Sequence, residues 1–122
     1  VGGTESFYDA ARPFAAANRR LATDLQSALV GRLRAPDRGV WTDDQLSAPT
    51  LTESAQRYGH LIVLGPLSPG WVDHPSQMPG ALVEPLFLTH PPEAAIASDA
   101  GGQQMIAEAL EAGLLKYFSA AP

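Results

Sequence analysis

A single carboxylate interrupts an apolar segment in the C-terminal half of the chain. Glu84 follows the apolar residues 81–83 and is itself followed by Pro85. A charge buried among apolar side chains without a partner is strongly destabilising. Because proline cannot donate a hydrogen bond to a neighbouring strand, Pro85 marks a sheet edge or the end of regular pairing. We therefore expect Glu84 to face a cleft near the end of a strand.

A carboxyl group in such a position is suited to proton transfer. Partial desolvation raises the pKa of a carboxyl group, which brings it closer to neutral pH, where a general acid or base works best. Perturbed carboxylates also occur in structural networks. The pattern alone leaves two interpretations open, in which Glu84 is either catalytic or caps a loop or pairs with an arginine.

The three histidines are the other candidates for chemistry. His90 comes shortly after Glu84, and we expect it to bind substrate in the same crevice. Trp71 and His74 lie in a proline-rich loop, where they could contact substrate or face water. His60, at the start of an apolar run, is interpreted as structural, with metal ligation as the alternative.

The histidine spacings match no local zinc motif such as HExxH, so we predict no metal ligand within this chain. A rearranged site, in which one of the three histidines holds a metal together with Glu84, is kept as a further hypothesis.

Composition excludes several classes of protein. The 122 residues include 13 acidic and 8 basic side chains, which argues against nucleic-acid binding. There is no cysteine, so disulfides and thiolate chemistry are excluded. The sequence contains no GxSxG, P-loop or GxGxxG motif, and no apolar run approaches the roughly 18 residues of a membrane span. One globular domain, or part of one, fits these numbers.

Hydrophobic periodicity and helix-start signals predict helices in four places. The first begins at Asp9 or Pro13 and runs to about Leu33, and the last spans Gln103 to Phe118. Proline in the first turn favours a short helix from residue 91, interrupted at 99–102. The fourth is a helical turn over residues 52–58, capped by Thr52 or Ser54.

The apolar runs between the helices predict strands. Residues 2–8 read as a turn leading into a short strand, and residues 60–65 and 81–88 as strands buried in a sheet. A turn over 35–39 should precede a short extended segment. Helices alternating with strands predict an α/β fold, with a mixed sheet and helices on both faces. The loop over residues 65–80 holds four prolines and three glycines, and loops of this length are often functional.

Taken together, several segments resemble the C-terminal portion of the zinc-dependent N-acetylmuramoyl-L-alanine amidases, which cut bacterial peptidoglycan. Their order and spacing carry the resemblance, and they span nearly the whole chain. The segments are Gly3-Thr4-Glu5-Ser6-Phe7-Tyr8, residues 18–26, Asp37-Arg38-Gly39-Val40, residues 78–84, residues 87–93, Gln104-Met105-Ile106-Ala107 and Tyr117-Phe118.

The resemblance implies that Glu84 is the catalytic glutamate, acting on a zinc-bound water that attacks the amide between the muramic lactyl group and L-alanine. It also implies peptidoglycan or a muropeptide as substrate and an extracellular, periplasmic or cell-wall location in a bacterium. The family's zinc ligands, a His, a Glu and a second His, precede the segment that matches Gly3-Thr4. We therefore expect them outside this chain, in an upstream half of the catalytic domain.

The chain departs from the family pattern near the site. Pro85-Leu86 replaces a small residue and glycine, His90 replaces an asparagine, and Gly65 stands where an arginine is common. The loop over 66–77 is longer than typical. Two hypotheses follow. The chain is part of an active zinc amidase and is inactive alone, or it is an inactive wall-binding or interaction module that retains the fold.

Overall fold

The computed structural model describes residues 1–46 and 52–120. Its elements confirm the predicted α/β class. In chain order they are β1 (Thr4–Tyr8), α1 (Ala15–Leu33), β2 (Asp37–Thr42), a 3-10 turn (Asp43–Gln45), α2 (Glu53–Tyr58), β3 (Leu82–Glu84), α3 (Pro91–Ser98) and α4 (Ala100–Ser119).

The described strands form one sheet in the order β2-β1-β3. The central strand β1 runs parallel to β2 and antiparallel to β3, so the predicted mixed sheet is confirmed. The antiparallel pairing sets Glu5 opposite Glu84 and Ser6 opposite Val83. Because side chains alternate along a strand, these two pairs lie on opposite faces of the sheet.

Buried hydrogen bonds join β1 to helix α1. The hydroxyl of Ser6 donates to Gln26 Oε1 at 2.8 Å, and Gln26 Nε2 donates to the carbonyl oxygen of Thr4 at 2.7 Å. The same amide nitrogen lies 2.7 Å from Asp37 Oδ1 at the start of β2. Buried polar groups are tolerated when they are paired in this way, and Gln26 thereby fixes α1 against two strands.

The apolar core lies between the sheet, α1 and α4. Leu29, Leu33 and Ala109 are buried at its centre, with Val83 and Ile96 packed against them. Burial of these side chains stabilises the fold by removing apolar surface from water.

Helix α4 packs closely against α1. A Cβ atom at Gly113 would lie only 2.9 Å from the Cα of Leu25, so glycine permits this approach. At the rim, the Arg20 guanidinium stacks 4.3 Å from the centre of the Tyr117 ring. No helix in the described ranges has the combined length and hydropathy of a membrane span.

The predicted strand over residues 60–65 is wrong. This segment is a turn, in which Leu64 N donates to the carbonyl oxygen of Leu61 at 3.0 Å. Arg12 donates to the carbonyl oxygen of Val63 at 3.0 Å, in place of a strand partner. The Val63 side chain is 69% exposed, so the apolar run is not a strand covered on both faces.

Several boundaries also differ from the prediction. The strand expected over 81–88 is confined to Leu82–Glu84, since Pro85 ends the pairing. The turn expected over 35–39 is shortened because β2 already begins at Asp37. The expected interruption at 99–102 is an N-cap, where Asp99 accepts a hydrogen bond from Gly102 N and α4 begins.

Other local predictions are confirmed. Thr52 caps α2 by accepting a hydrogen bond from the backbone N–H of Ala55 at 3.2 Å. Proline occupies the first turn of α3. The loop over 65–80 contains only an isolated bridge between Ser68 and Val72 as regular pairing.

A buried carboxylate ties α3 to the start of β1. Glu93 is 4% exposed, and its two oxygens accept hydrogen bonds from Gly3 N at 2.8 Å and Phe87 N at 2.7 Å. His90 Nδ1 lies 3.2 Å from the same carboxylate. Burial alone would raise the pKa of Glu93, but the hydrogen bonds from Phe87 and Gly3 and the nearby His90 outweigh it and lower that pKa below its usual value of 4.5.

This arrangement predicts acid sensitivity. Because the folded-state pKa of Glu93 lies below its unfolded-state value, ionised Glu93 stabilises the fold above the unfolded-state pKa. That contribution is lost as pH falls through the folded-state pKa. At neutral pH, Glu93→Gln should lower the free energy of unfolding by about 1–3 kcal/mol, and the difference from wild type should shrink in acid.

Urea unfolding measured across the acid range tests this prediction. Glu111→Gln removes an exposed acid on α4 and serves as the control. A difference between wild type and Glu93→Gln that stays constant with pH would contradict the assigned role.

Candidate functional site

The pairing of β1 with β3 brings two carboxyl groups together. Glu5 and Glu84 are directly opposite each other, and residues so paired have Cβ atoms roughly 5 Å apart. The neighbouring pair, Ser6 and Val83, points toward α1 and the core. Glu5 and Glu84 therefore share the other face, where Glu84 is exposed.

Four effects act on the protonation of Glu84. Partial desolvation raises the pKa of Glu84, the negative charge of Glu5 and a hydrogen bond between the two carboxyl groups raise it further, and the Arg38 guanidinium lowers it. The net result is a raised pKa, because burial and the facing carboxyl group together outweigh the attraction of Arg38. Glu84 is thus suited to accept and return a proton.

Arg38 pairs with Glu5 and not with Glu84. Its Nε atom lies 3.2 Å from Glu5 Oε2, and its guanidinium carbon lies 4.9 Å from the centre of the Phe87 ring. The structure therefore does not support the alternative in which Glu84 pairs with an arginine. Arg38 instead offsets part of the repulsion between the two acids.

His90 lies at the same end of β1 as this pair. It is the N-cap residue of α3, and a Cβ atom on Gly2 would lie 2.7 Å from His90 Nδ1. Since Gly2 precedes β1, His90 lies near the start of that strand, as Glu84 does. Its role in substrate binding stays a prediction.

Trp71 and His74 occupy the long loop. Trp71 is 48% exposed and lines a cavity of about 270 Å³ with Arg57 and Tyr58. Glu84 does not line this cavity. His74 is exposed. Contact of either residue with substrate stays a prediction.

Sequence reasoning missed a second polar cluster at the other end of β1. Asp9 follows β1 directly, Asp43 follows β2 directly, and His60 reaches both from the turn after α2. One potential ligand atom from each residue lies within 4.8 Å of the others. Because β1 and β2 are parallel, their carboxyl ends meet at one edge. An acid after each strand was therefore a usable signal.

The acids of this cluster are crowded. Burial raises the pKa of Asp43 to about 6, and the charge of Asp9 adds to the increase, while Leu61 N–H and His60 oppose it. Asp9 lies four residues beyond Glu5, or roughly 13 Å along an extended strand. The cluster and the Glu5–Glu84 pair are therefore separate sites.

The zinc implied by the sequence resemblance needs three protein ligands. In the part of the chain that the structure describes, Asp9, Asp43 and His60 form the one such group, and it does not include Glu84. The residues around Glu84 therefore do not form a zinc site by themselves.

Comparison with known proteins decides the family. The sequence matches the family described as N-acetylmuramoyl-L-alanine amidase over residues 1–116. The chain belongs to this family. The resemblance seen in the sequence is thereby confirmed, although a search of curated proteins finds no significant match.

Solved amidase structures share the fold. The chain is similar to an N-acetylmuramoyl-L-alanine amidase from Clostridium difficile 630, with a TM-score of 0.67 and 23% identity over 100% of this chain and 51% of that one. The catalytic domain of CwlV from Bacillus (Paenibacillus) polymyxa gives a TM-score of 0.62 at 19% identity, covering 99% and 51%. The CwlD amidase from Clostridioides difficile, solved in complex with the GerS lipoprotein, gives 0.65 at 21% identity, covering 98% and 47%.

The chain spans about half the length of these amidase structures. The expectation that it corresponds to part of an amidase catalytic domain stays a prediction. At these identities the likeness concerns the fold, and the activity must be argued from the site.

The electrostatics of the pair can be tested directly. Glu5→Gln removes a facing negative charge and should lower the pKa of Glu84, whereas Arg38→Gln removes a positive charge and should raise it. Carbon-detected NMR titration of the Glu84 carboxyl group measures both shifts. Glu111→Gln changes an exposed acid on α4 and should leave the titration of Glu84 unchanged. Equal pKa values in all four proteins would contradict the assigned contacts.

Proposed function

We propose that this chain forms part of a peptidoglycan hydrolase that cleaves the amide between N-acetylmuramic acid and L-alanine. One observation carries the proposal. In a chain that matches the amidase family, the exposed Glu84 faces Glu5 and has a raised pKa. A raised pKa makes a carboxyl group better suited to general acid–base catalysis.

In this mechanism Glu84 is the general base and then the general acid. It accepts a proton from the attacking water and returns it to the leaving amine nitrogen. Glu5 keeps the proton affinity of Glu84 high through its negative charge. Arg38 limits that effect by pairing with Glu5.

The proposal includes a zinc ion whose ligands lie outside residues 1–122, in an upstream part of the catalytic domain. Bound zinc supplies Lewis-acid chemistry in hydrolases of this kind. With those ligands outside the chain, we propose that residues 1–122 are inactive alone.

The substrate contacts and the location are proposed on the same basis. His90, Trp71 and His74 are proposed to contact peptidoglycan or a muropeptide, and the protein to act at an extracellular, periplasmic or cell-wall location in a bacterium. The net charge of −5 argues against nucleic acid as a partner.

A second candidate is an inactive wall-binding or interaction module. It is favoured by one observation, the lack of a three-ligand group around Glu84 among the described residues. It would retain peptidoglycan binding without releasing product.

Activity measurements separate the two candidates. In the full polypeptide that contains this chain, Glu84→Gln should reduce the release of L-alanine-bearing peptides from purified peptidoglycan by about 10²-fold or more. Glu53→Gln, an exposed change on α2, should leave the rate unaltered. Undiminished activity in Glu84→Gln would contradict the catalytic role. Wild-type protein that binds peptidoglycan but releases nothing would support the binding module.

A further inference from the structure

The cluster at the far end of β1 joins three separate segments. Asp9 comes from the end of β1, Asp43 from the 3-10 turn after β2, and His60 from the turn that follows α2. The two aspartates are 0% and 1% exposed, and the His60 side chain is 23% exposed. Because the His60 side chain is partly exposed, an ion from solvent can reach this buried acidic centre.

Asp9 uses only one of its oxygens within the fold. Its Oδ1 accepts hydrogen bonds from Ala11 N at 2.8 Å and Arg12 N at 2.9 Å. Its Oδ2 is fully buried and accepts no hydrogen bond from any described residue. A buried carboxylate oxygen without a hydrogen bond is unfavourable, and a bound cation would stabilise it.

Asp43 and His60 each place one polar atom in the same part of the cluster. Asp43 accepts a hydrogen bond from Leu61 N at 2.9 Å through Oδ2, while its Oδ1 lies 3.5 Å from His60 Nδ1. His60 Nδ1 lies 2.7 Å from Asp9 Oδ2, within ion-pair distance, but the two atoms are not aligned as a hydrogen bond. Each of the three residues thus offers one potential ligand atom, and these atoms lie within 4.8 Å of one another.

We propose that Asp9, Asp43 and His60 bind a first-row divalent cation, zinc or manganese, that fastens the turn after α2 to the ends of β1 and β2. In tetrahedral zinc sites with N and O ligands, ligand atoms stand about 3.4 Å apart. The Asp43–His60 separation already matches this value, and the Asp9–His60 pair needs to open by less than about 1 Å.

The donor set selects the kind of ion. Imidazole favours zinc and other transition metals over calcium and magnesium, which prefer all-oxygen sites. Two carboxylates beside one imidazole suit zinc or manganese.

The side chain of Arg12, three residues after Asp9, does not fill the site. The Arg12 guanidinium directs its hydrogen bonds to the carbonyl oxygens of Gly65 and Val63, both at 3.0 Å. Tyr58 likewise donates its hydroxyl hydrogen to the carbonyl oxygen of Pro66. The cation would thus add to contacts that already hold this turn against the sheet, and its role is structural.

Metal binding by residues 1–122 tests the proposal without any measurement of catalysis. After treatment with chelator, titration calorimetry should give one bound Zn²⁺ or Mn²⁺ per chain. At 100 times the dissociation constant, the melting temperature should rise by about 10 °C. Equal concentrations of Ca²⁺ or Mg²⁺ should produce a much smaller rise.

Matched variants locate the bound ion. Asp43→Asn should abolish the metal-dependent rise, whereas Asp44→Asn, an exposed acid one residue away, should retain it. Glu84→Gln at the opposite end of β1 should also retain it. Since Asp43→Asn changes a buried residue, His60→Gln provides a second variant at a partly exposed position and should lose the same response.

Visible absorption of bound Co²⁺ supplies a further check, because imidazole ligation of a tetrahedral ion changes its spectrum. The spectrum should be present in wild type and absent in His60→Gln. No metal-dependent stabilisation of the wild type, or an equal response in wild type and both cluster variants, would overturn the proposal and leave a His60–Asp9 ion pair as the account of this cluster.

Discussion

The pairing register between β1 and β3 is the constraint on which the candidate active site depends. Because Ser6 and Val83 must face α1 and the core, Glu5 and Glu84 are forced to face each other on the opposite side of the sheet. Like charges placed directly opposite destabilise a sheet. The structure accepts this repulsion at an exposed position and offsets part of it with Arg38. A slip of one residue would bury Glu84 and expose Val83.

The two ends of β1 are held by different sets of polar contacts. At its start, the buried Glu93 accepts hydrogen bonds from Gly3 and Phe87, which fixes the chain on either side of the carboxyl pair. At its end, Asp9 accepts hydrogen bonds from the first residues of the segment leading to α1 and faces Asp43 and His60. A strand of five residues thus separates the Glu5–Glu84 carboxyl pair from the polar cluster of Asp9, Asp43 and His60.

The sequence predicted those features that depend on local patterns. Periodicity located α1 and α4, and Pro85 correctly indicated that strand pairing ends beside Glu84. The apolar run at 60–65 misled, because its composition favours a strand whereas its carbonyl groups at Val63 and Gly65 instead accept hydrogen bonds from Arg12. Glu5 faces Glu84, and Asp9 lies beside His60, because segments that are distant in the sequence pack together. A single sequence does not determine that packing.

A double-mutant cycle on the two facing acids tests this account most directly. The free energy of unfolding would be measured for wild type, Glu5→Gln, Glu84→Gln and the double variant, at pH values above the pKa of Glu84 and again in strong acid. The account predicts a coupling of about 0.5 kcal/mol or more above that pKa, with Glu84→Gln more favourable when Glu5 is present, and no coupling once both groups are protonated. Additive effects at every pH would show that the two carboxyl groups do not interact.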